Sequence, residues 1–238
     1  MEKINKTENK ITFKGKIEDS LINSIRRYVN RIPTLAIDEV EIHKNDSPLY
    51  DETIAHRMGL VPLKIKKSLL KKDTEIELYS KNEGYVYSEE IKGDLEVAYD
   101  KIPLTTLNKG GEVHIKCFVR AGIGEEHSKY TPGLIYFREI FDVKPDKDVP
   151  LEVIKRCPKK VFEDKSGKVS VKDALRCDFC EECIGYCNKV KKGSIKITPT
   201  EEVMVFIESF GQMDVKEIFK EAIEVLRKDL LEVSKKIK

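Results

Sequence analysis

Four of the chain's six cysteines fall within eleven positions, in the run Cys177-Asp-Phe-Cys180-Glu-Glu-Cys183-Ile-Gly-Tyr-Cys187. The spacing C-x2-C-x2-C-x3-C is one by which thiolates hold cubane iron–sulfur clusters, because three of them two residues apart can wrap three irons of one cube. The fourth ligand in such an arrangement is remote and is followed by proline. Cys157-Pro158 stands twenty residues upstream and fits that description. Cys157, Cys177, Cys180 and Cys183 therefore make one complete ligand set.

A second set, as in two-cluster ferredoxins, is broken. Lys147, Pro150 and Val153 occupy the positions that would precede Cys157 at ferredoxin spacing, and Cys187 is followed by Asn188 rather than proline. The expectation is one [4Fe-4S] cluster, with a [3Fe-4S] form if one ligand is lost. Zinc is the competing occupant. Structural zinc sites bring two separated C-x2-C knuckles, whereas here three cysteines are contiguous and one is alone. Cys117 alternates with Val113, Ile115 and Val119 and reads as a core residue of a strand. Crowded cysteines without a signal-peptide core in Met1–Lys10 point to metal chemistry in a reducing compartment, not to disulfides.

These residues need elements to hold them. The chain has 238 residues, enough for two or three small domains, and its 44 basic and 42 acidic residues give a net charge of +2. Such a surface is dense in both signs without the one-signed stripe of a dedicated nucleic-acid binder. No apolar run reaches the roughly 18 residues that span a bilayer, so a cytoplasmic protein is expected.

Ile11, Phe13 and Ile17 suggest an opening strand, and Asp19 can cap a helix with Leu21, Ile25, Tyr28 and Val29 on one face, ended by Pro33. Leu35–Ile42 alternates but shifts parity between Ile37 and Val40, as one extra residue in a β-bulge would cause. Asp51 starts a short helix closed by Gly59. Strand signals follow at Glu75–Tyr79, Leu95–Tyr99, Val113–Val119 and Leu134–Val143. Lys144–Gly193 loses the period of two and holds five cysteines, so it reads as an insertion. Strand signals return at Ile195–Ile197 and at Val203, Val205 and Ile207. Asp214 and Glu217 have capping-box spacing, and Phe219, Ile223, Leu226, Leu230, Val233 and Ile237, spaced 4-3-4-3-4, predict a long helix with a narrow coiled-coil-like seam.

Several segments carry a family resemblance. Asn23-Ser-Ile-Arg-Arg27, Ile32-Pro-Thr-Leu-Ala-Ile-Asp-Glu-Val40, Tyr50-Asp-Glu52 and Ala55-His-Arg-Met-Gly-Leu-Val-Pro-Leu63 resemble the N-terminal signature of the RNA polymerase α family, in particular its archaeal D-type members. Gly122–Pro132 resembles a loop of that family's middle domain, and Glu208-Ser-Phe-Gly-Gln212 the entry to its last helix. The match spans nearly the whole chain. An inserted ferredoxin-like domain occurs in many proteins of this kind.

The resemblance implies an α+β fold of three parts. These are a dimerisation domain split into 1–42 and 198–238, a β-rich insert domain at 43–143 with 194–197, and a ferredoxin-like [4Fe-4S] domain at 144–193. It implies a non-catalytic scaffold of archaeal DNA-directed RNA polymerase, a nucleotidyltransferase complex. The chain would pair with the small subunit L, collect the two smallest core subunits and meet the second-largest catalytic subunit, without specific contact to nucleic acid or membrane. The sequence agrees that catalysis lies elsewhere: it has no Asp-x-Asp-x-Asp magnesium triad and no Lys-Ser/Thr phosphate loop. His56 and His127 read as hydrogen-bonding residues, and Arg26, Arg27 and Arg57 as interface or loop-anchoring ones.

An electron-transfer protein or iron–sulfur oxidoreductase subunit is the alternative, opposed by the length of chain outside the cysteine region. A zinc-stabilised nucleic-acid binder lacks its basic stripe. The cluster's expected role is structural, because an insertion of about 50 residues with few large apolar side chains needs a staple.

Overall fold

The computed structural model describes residues 2–237, a mixed α/β arrangement in which sheets dominate. In chain order the elements are β1 (Glu2–Lys6), β2 (Lys10–Gly15), α1 (Asp19–Tyr28), β3 (Thr34–Asn45), α2 (Asp51–Gly59), β4 (Thr74–Ser80), β5 (Gly84–Tyr87), β6 (Ile91–Gly93), β7 (Pro103–Leu107), β8 (Val113–Gly122), β9 (Gly133–Pro145), α3 (Glu152–Arg156), β10 (Phe162–Lys165), β11 (Lys168–Val171), α4 (Glu182–Val190), β12 (Ile195–Ser209) and α5 (Val215–Ile237). Two four-stranded sheets have the orders β1-β2-β12-β9 and β3-β8-β4-β6, and β5-β7 and β10-β11 are two-stranded. No described helix is long and apolar enough to cross a membrane.

The chain divides into two compact units. One contains Lys6–Ile11, Ser20–Ile135 and the stretch from Ile207 onward. Its centre is the sheet β3-β8-β4-β6, where alternation dictates the core. Ile76 and Leu78 of β4 face Cys117 and Ile115 of β8, and those pair with Val40 and Ile42 of β3. All but the last two are buried, and each fully buried aliphatic side chain is worth roughly 1.5–3 kcal/mol. The parity shift in β3 is a true bulge: the register slips between Ile37 and Glu39, leaving Asp38 unpaired, and slips again between Ile42 and Lys44. The bulge lets Leu35 and Ile37 before it, and Val40 and Ile42 after it, point to one core.

Several expectations need correction. In α1 the buried residues are Ile22 and Ile25, followed by Val29, while Leu21 is exposed. The helix carries apolar residues over an arc wider than one contact, and packing chose the other edge. The short helix does run from Asp51 to Gly59 as expected, with right-handed Leu60 as its C-cap. Leu95–Tyr99 is not a strand. It makes one bridge, Val97 to Leu63, although Leu95 and Val97 are buried. The polar segment β1 is exposed along its whole length, so hydrophobic periodicity could not reveal it.

The second unit holds residues up to Asn5, Thr12–Asp19 and Tyr136–Phe206. Its inserted part contains a hairpin, β10 paired with β11 in register Phe162–Val171, and the helices α3 and α4. Its core joins Phe141, Val143, Val153, Val161, Phe162 and Ile195 with four cysteines, Cys157, Cys177, Cys183 and Cys187. The two strand signals at Ile195–Ile197 and Val203–Ile207 belong to one continuous strand, β12.

Candidate functional site

The chain folds the insertion so that four of its five cysteines line one cavity. Cys157 ends α3, where its N–H still bonds to the Val153 carbonyl at 3.0 Å. Cys177 caps the 3-10 turn Ala174–Arg176, which opens on Asp173, whose carboxylate accepts from Leu175 N at 3.0 Å. Cys183 lies in the first turn of α4. Cys157, Cys177, Cys180 and Cys183 line one cavity, together with Lys159, Val161, Phe162, Asp178, Glu181 and Ile197. Cys187, one turn further along α4, is buried in the core and does not line it. Cys117 lies in β8 at full burial, and burial pushes its thiol up to about 12.

The loop carrying three of these cysteines is wound against the usual backbone preference. Phe179 and Glu181, which flank Cys180, both have positive φ, 56° and 58°. Neither is glycine, and such residues cost on the order of 1 kcal/mol each. Alternation of this kind turns successive side chains and N–H groups toward one concavity, as anion- and cluster-binding loops do. Burial also pushes the Cys183 thiol up to about 11 and raises Cys177, so neither forms a thiolate readily without a cation beside it. Among the described residues no three His, Cys, Asp or Glu side chains are drawn tightly enough together to grip a single ion. The four thiols share a cavity instead. Their number, softness and common cavity fit an iron–sulfur cluster.

Strand β9 grips this loop at two points that sequence reasoning did not single out. The Arg138 guanidinium donates to the carbonyls of Leu175 and Cys177, the latter at 2.5 Å. Phe141 stacks on Phe179 with ring centroids 4.9 Å apart. No spacing signal marks either residue, because the contacts join positions about 40 residues apart.

A different surface is offered by α5. Asp214 caps it, accepting from Lys216 N at 2.8 Å. Val215, Ile218 and Ala222 are fully buried, and Asp229 is held by Arg31 at 2.5 Å and by the Tyr28 hydroxyl at 3.1 Å. The predicted seam falls elsewhere: Ile223, Leu230, Val233 and Ile237 are exposed, Leu230 by 60% and Ile237 by 79%. Leu226 and Phe219 are half-buried.

The segments that carry the family resemblance brace one another. Lys129 Nζ donates to the Ile37 carbonyl at 3.1 Å and to Asp38 at 2.8 Å, and the Tyr130 hydroxyl donates to the same carboxylate at 3.1 Å. Gln212 Nε2 donates to the Lys129 carbonyl at 3.0 Å. Arg57 anchors the Leu104 carbonyl at 2.9 Å, and His127 Nδ1 accepts from Lys129 N at 3.1 Å. Arg26 donates to Asn23 Oδ1 at 2.9 Å, while Arg27 and His56 are exposed.

Residues 40–143 match the RNA polymerase Rpb3/RpoA insert domain. Over 92% of its length the chain is 31% identical to DNA-directed RNA polymerase subunit Rpo3 of Methanobrevibacter smithii, covering 91% of that protein. It is 30% identical to subunit Rpo3 of Pyrococcus horikoshii, with 94% and 92% covered. Against DNA-directed RNA polymerases I and III subunit rpac1 of Dictyostelium discoideum it is 28% identical, with 88% and 73% covered. The bulged insert-domain sheet and these relatives define an α-like, non-catalytic subunit of a multi-subunit nucleotidyltransferase. The chain belongs to the Rpo3 family of DNA-directed RNA polymerase subunits. The alternative of an electron-transfer protein finds no support in these relatives.

Proposed function

We propose that the chain is the D-type assembly subunit of an archaeal RNA polymerase, which heterodimerises with the small subunit L through a dimerisation domain split between 1–42 and 198–238. The observation that carries this reading is the exposed seam on α5. One face of the helix is buried by Val215, Ile218 and Ala222, and a second apolar row, running from Ile223 to Ile237, is half-buried at Leu226 and exposed at Ile223, Leu230, Val233 and Ile237. Exposed apolar rows of this regularity mark association surfaces. The two smallest core subunits and the second-largest catalytic subunit are its further expected contacts, met in the cytoplasm. Sizing with light scattering tests the pairing: co-expression with L should give a one-to-one heterodimer, and a well-behaved monomer that ignores L would remove the proposal.

In the same reading, Cys157, Cys177, Cys180 and Cys183 hold one [4Fe-4S] cluster in a ferredoxin-like domain at 144–193, between the β-rich insert (43–143 with 194–197) and the return to the dimerisation domain. Four thiols around one cavity and the wound loop between Cys177 and Cys183 support it. Bound there, the cluster supplies four metal–thiolate links to a core whose members include three of its own ligands. Removing it exposes that core, so ligation energy is folding energy for the insertion.

A further inference from the structure

We propose that Arg138 is the positioning residue of the cysteine loop, a guanidinium splint that fixes where Cys177 points; this rests on the [4Fe-4S] reading above. The 3-10 turn Ala174–Arg176 leaves its last carbonyls without partners inside the turn, as helical ends do. Arg138 Nη1 donates to the Cys177 carbonyl at 2.5 Å, and Nη2 donates to the Leu175 carbonyl. Nη2 also lies 3.6 Å from Met204 Sδ on β12. A planar fork with fixed donor directions is pre-organised to serve two carbonyls two residues apart, whereas an ammonium's donors swivel about a single nitrogen and lose more freedom in doing so. Arg138 therefore ties the peptide of a ligand to a strand of the sheet, and β9 holds the same loop again three residues later, where Phe141 stacks on Phe179.

The position of this tie matters. Cys177 is the first thiol of the run, and Cys180 and Cys183 follow through the positive-φ residues Phe179 and Glu181. A loop so wound has competing conformations of lower backbone energy. Fixing its start by two hydrogen bonds, and its middle by a ring stack, limits those conformations before any iron arrives. Outer partners that orient ligands in this way change metal affinity about 10–100-fold when lost.

The test uses the whole chain, purified anaerobically as its complex with L. Iron and sulfide content, the visible circular dichroism of the cluster and the rate of iron release to a chelator are measured for the native protein and for Arg138→Met, Arg138→Lys and Arg176→Met. Arg176 is exposed in the same turn and serves as the charge control. The expected result is release at least about tenfold faster in Arg138→Met, with an altered visible dichroism of the iron that remains. Arg138→Lys should fall between it and the native protein, and Arg176→Met should match the native protein. Native-like release and dichroism in Arg138→Met overturn the inference while leaving the cluster reading intact. If Arg138→Met does not fold, Arg138→Lys decides alone, native behaviour there refuting the need for a fork. A native protein without iron refutes the cluster reading itself, and the inference with it.

Discussion

Replacing Leu230 with aspartate separates the two faces of α5. In the free chain Leu230 is 60% exposed, so an aspartate there stays in water and changes stability by no more than about 0.5 kcal/mol. In the heterodimer the same position is to be covered. The remaining exposed part of a leucine side chain is worth roughly 1–2 kcal/mol when buried. Desolvating an unpaired carboxylate costs several kcal/mol more. A total of about 4 kcal/mol corresponds to a nearly thousandfold weaker Kd for L, at 1.4 kcal/mol per factor of ten. Titration calorimetry measures the Kd, and a thermal melt of the free chain measures its fold. Ile218→Asp is the contrasting substitution, because Ile218 is fully buried within the chain and its loss should unfold the domain before any partner is met. A Kd for Leu230→Asp within threefold of the native value, with the chain folded, refutes the assignment of this seam to the partner.

Anaerobic protein should contain about four irons and four sulfides per chain. Serine at Cys177, Cys180 or Cys183 should abolish the cluster, serine at Cys157 should leave at most a three-iron form, and serine at Cys187 or Cys117 should leave iron content unchanged; a cluster that needs Cys187 and not Cys157 would contradict the ligand set. Chelation should melt the insertion at lower temperature than the rest of the chain, seen by hydrogen exchange confined to 144–193. Asp38, in the β3 bulge, has its carboxyl held below its usual range chiefly by the Lys129 hydrogen bond. Its contribution is therefore present above the ordinary carboxylate pKa near 4 and is lost as pH falls below that. Asp38→Asn should cost about 2 kcal/mol at pH 7 in denaturant melts and progressively less in acid; a cost that does not vary with pH would remove the ion pair from the account. A Cβ on Gly133 would collide with the Glu208 carbonyl oxygen and stand 2.7 Å from Ile218 Cδ1. Gly133→Ala should accordingly destabilise by roughly 1–3 kcal/mol, and a neutral melt would show that β9 can shift aside.

The elements legible in the sequence were those whose side chains repeat with a buried face. Strands β4 and β8 alternate and are buried on one side, and even the bulge at Asp38 left its mark as a parity shift. The cysteine spacing was equally legible, because three cysteines of one loop are local in the chain. Short or solvated strands were silent: β6 has three residues and β1 buries none.

Which of two apolar edges of α1 turns inward, and which row of α5 stays bare, depends on partners distant in the chain. Periodicity names the candidate rows but not the neighbour. That Cys157 shares a cavity with Cys177, Cys180 and Cys183 was an inference from spacing, and the fold brings them together through α3, the 3-10 turn and α4. The splint at Arg138 belongs wholly to tertiary structure. A hydrogen bond between residues nearly forty apart has no period to betray it, and only the folded chain brings the guanidinium to the carbonyls it holds.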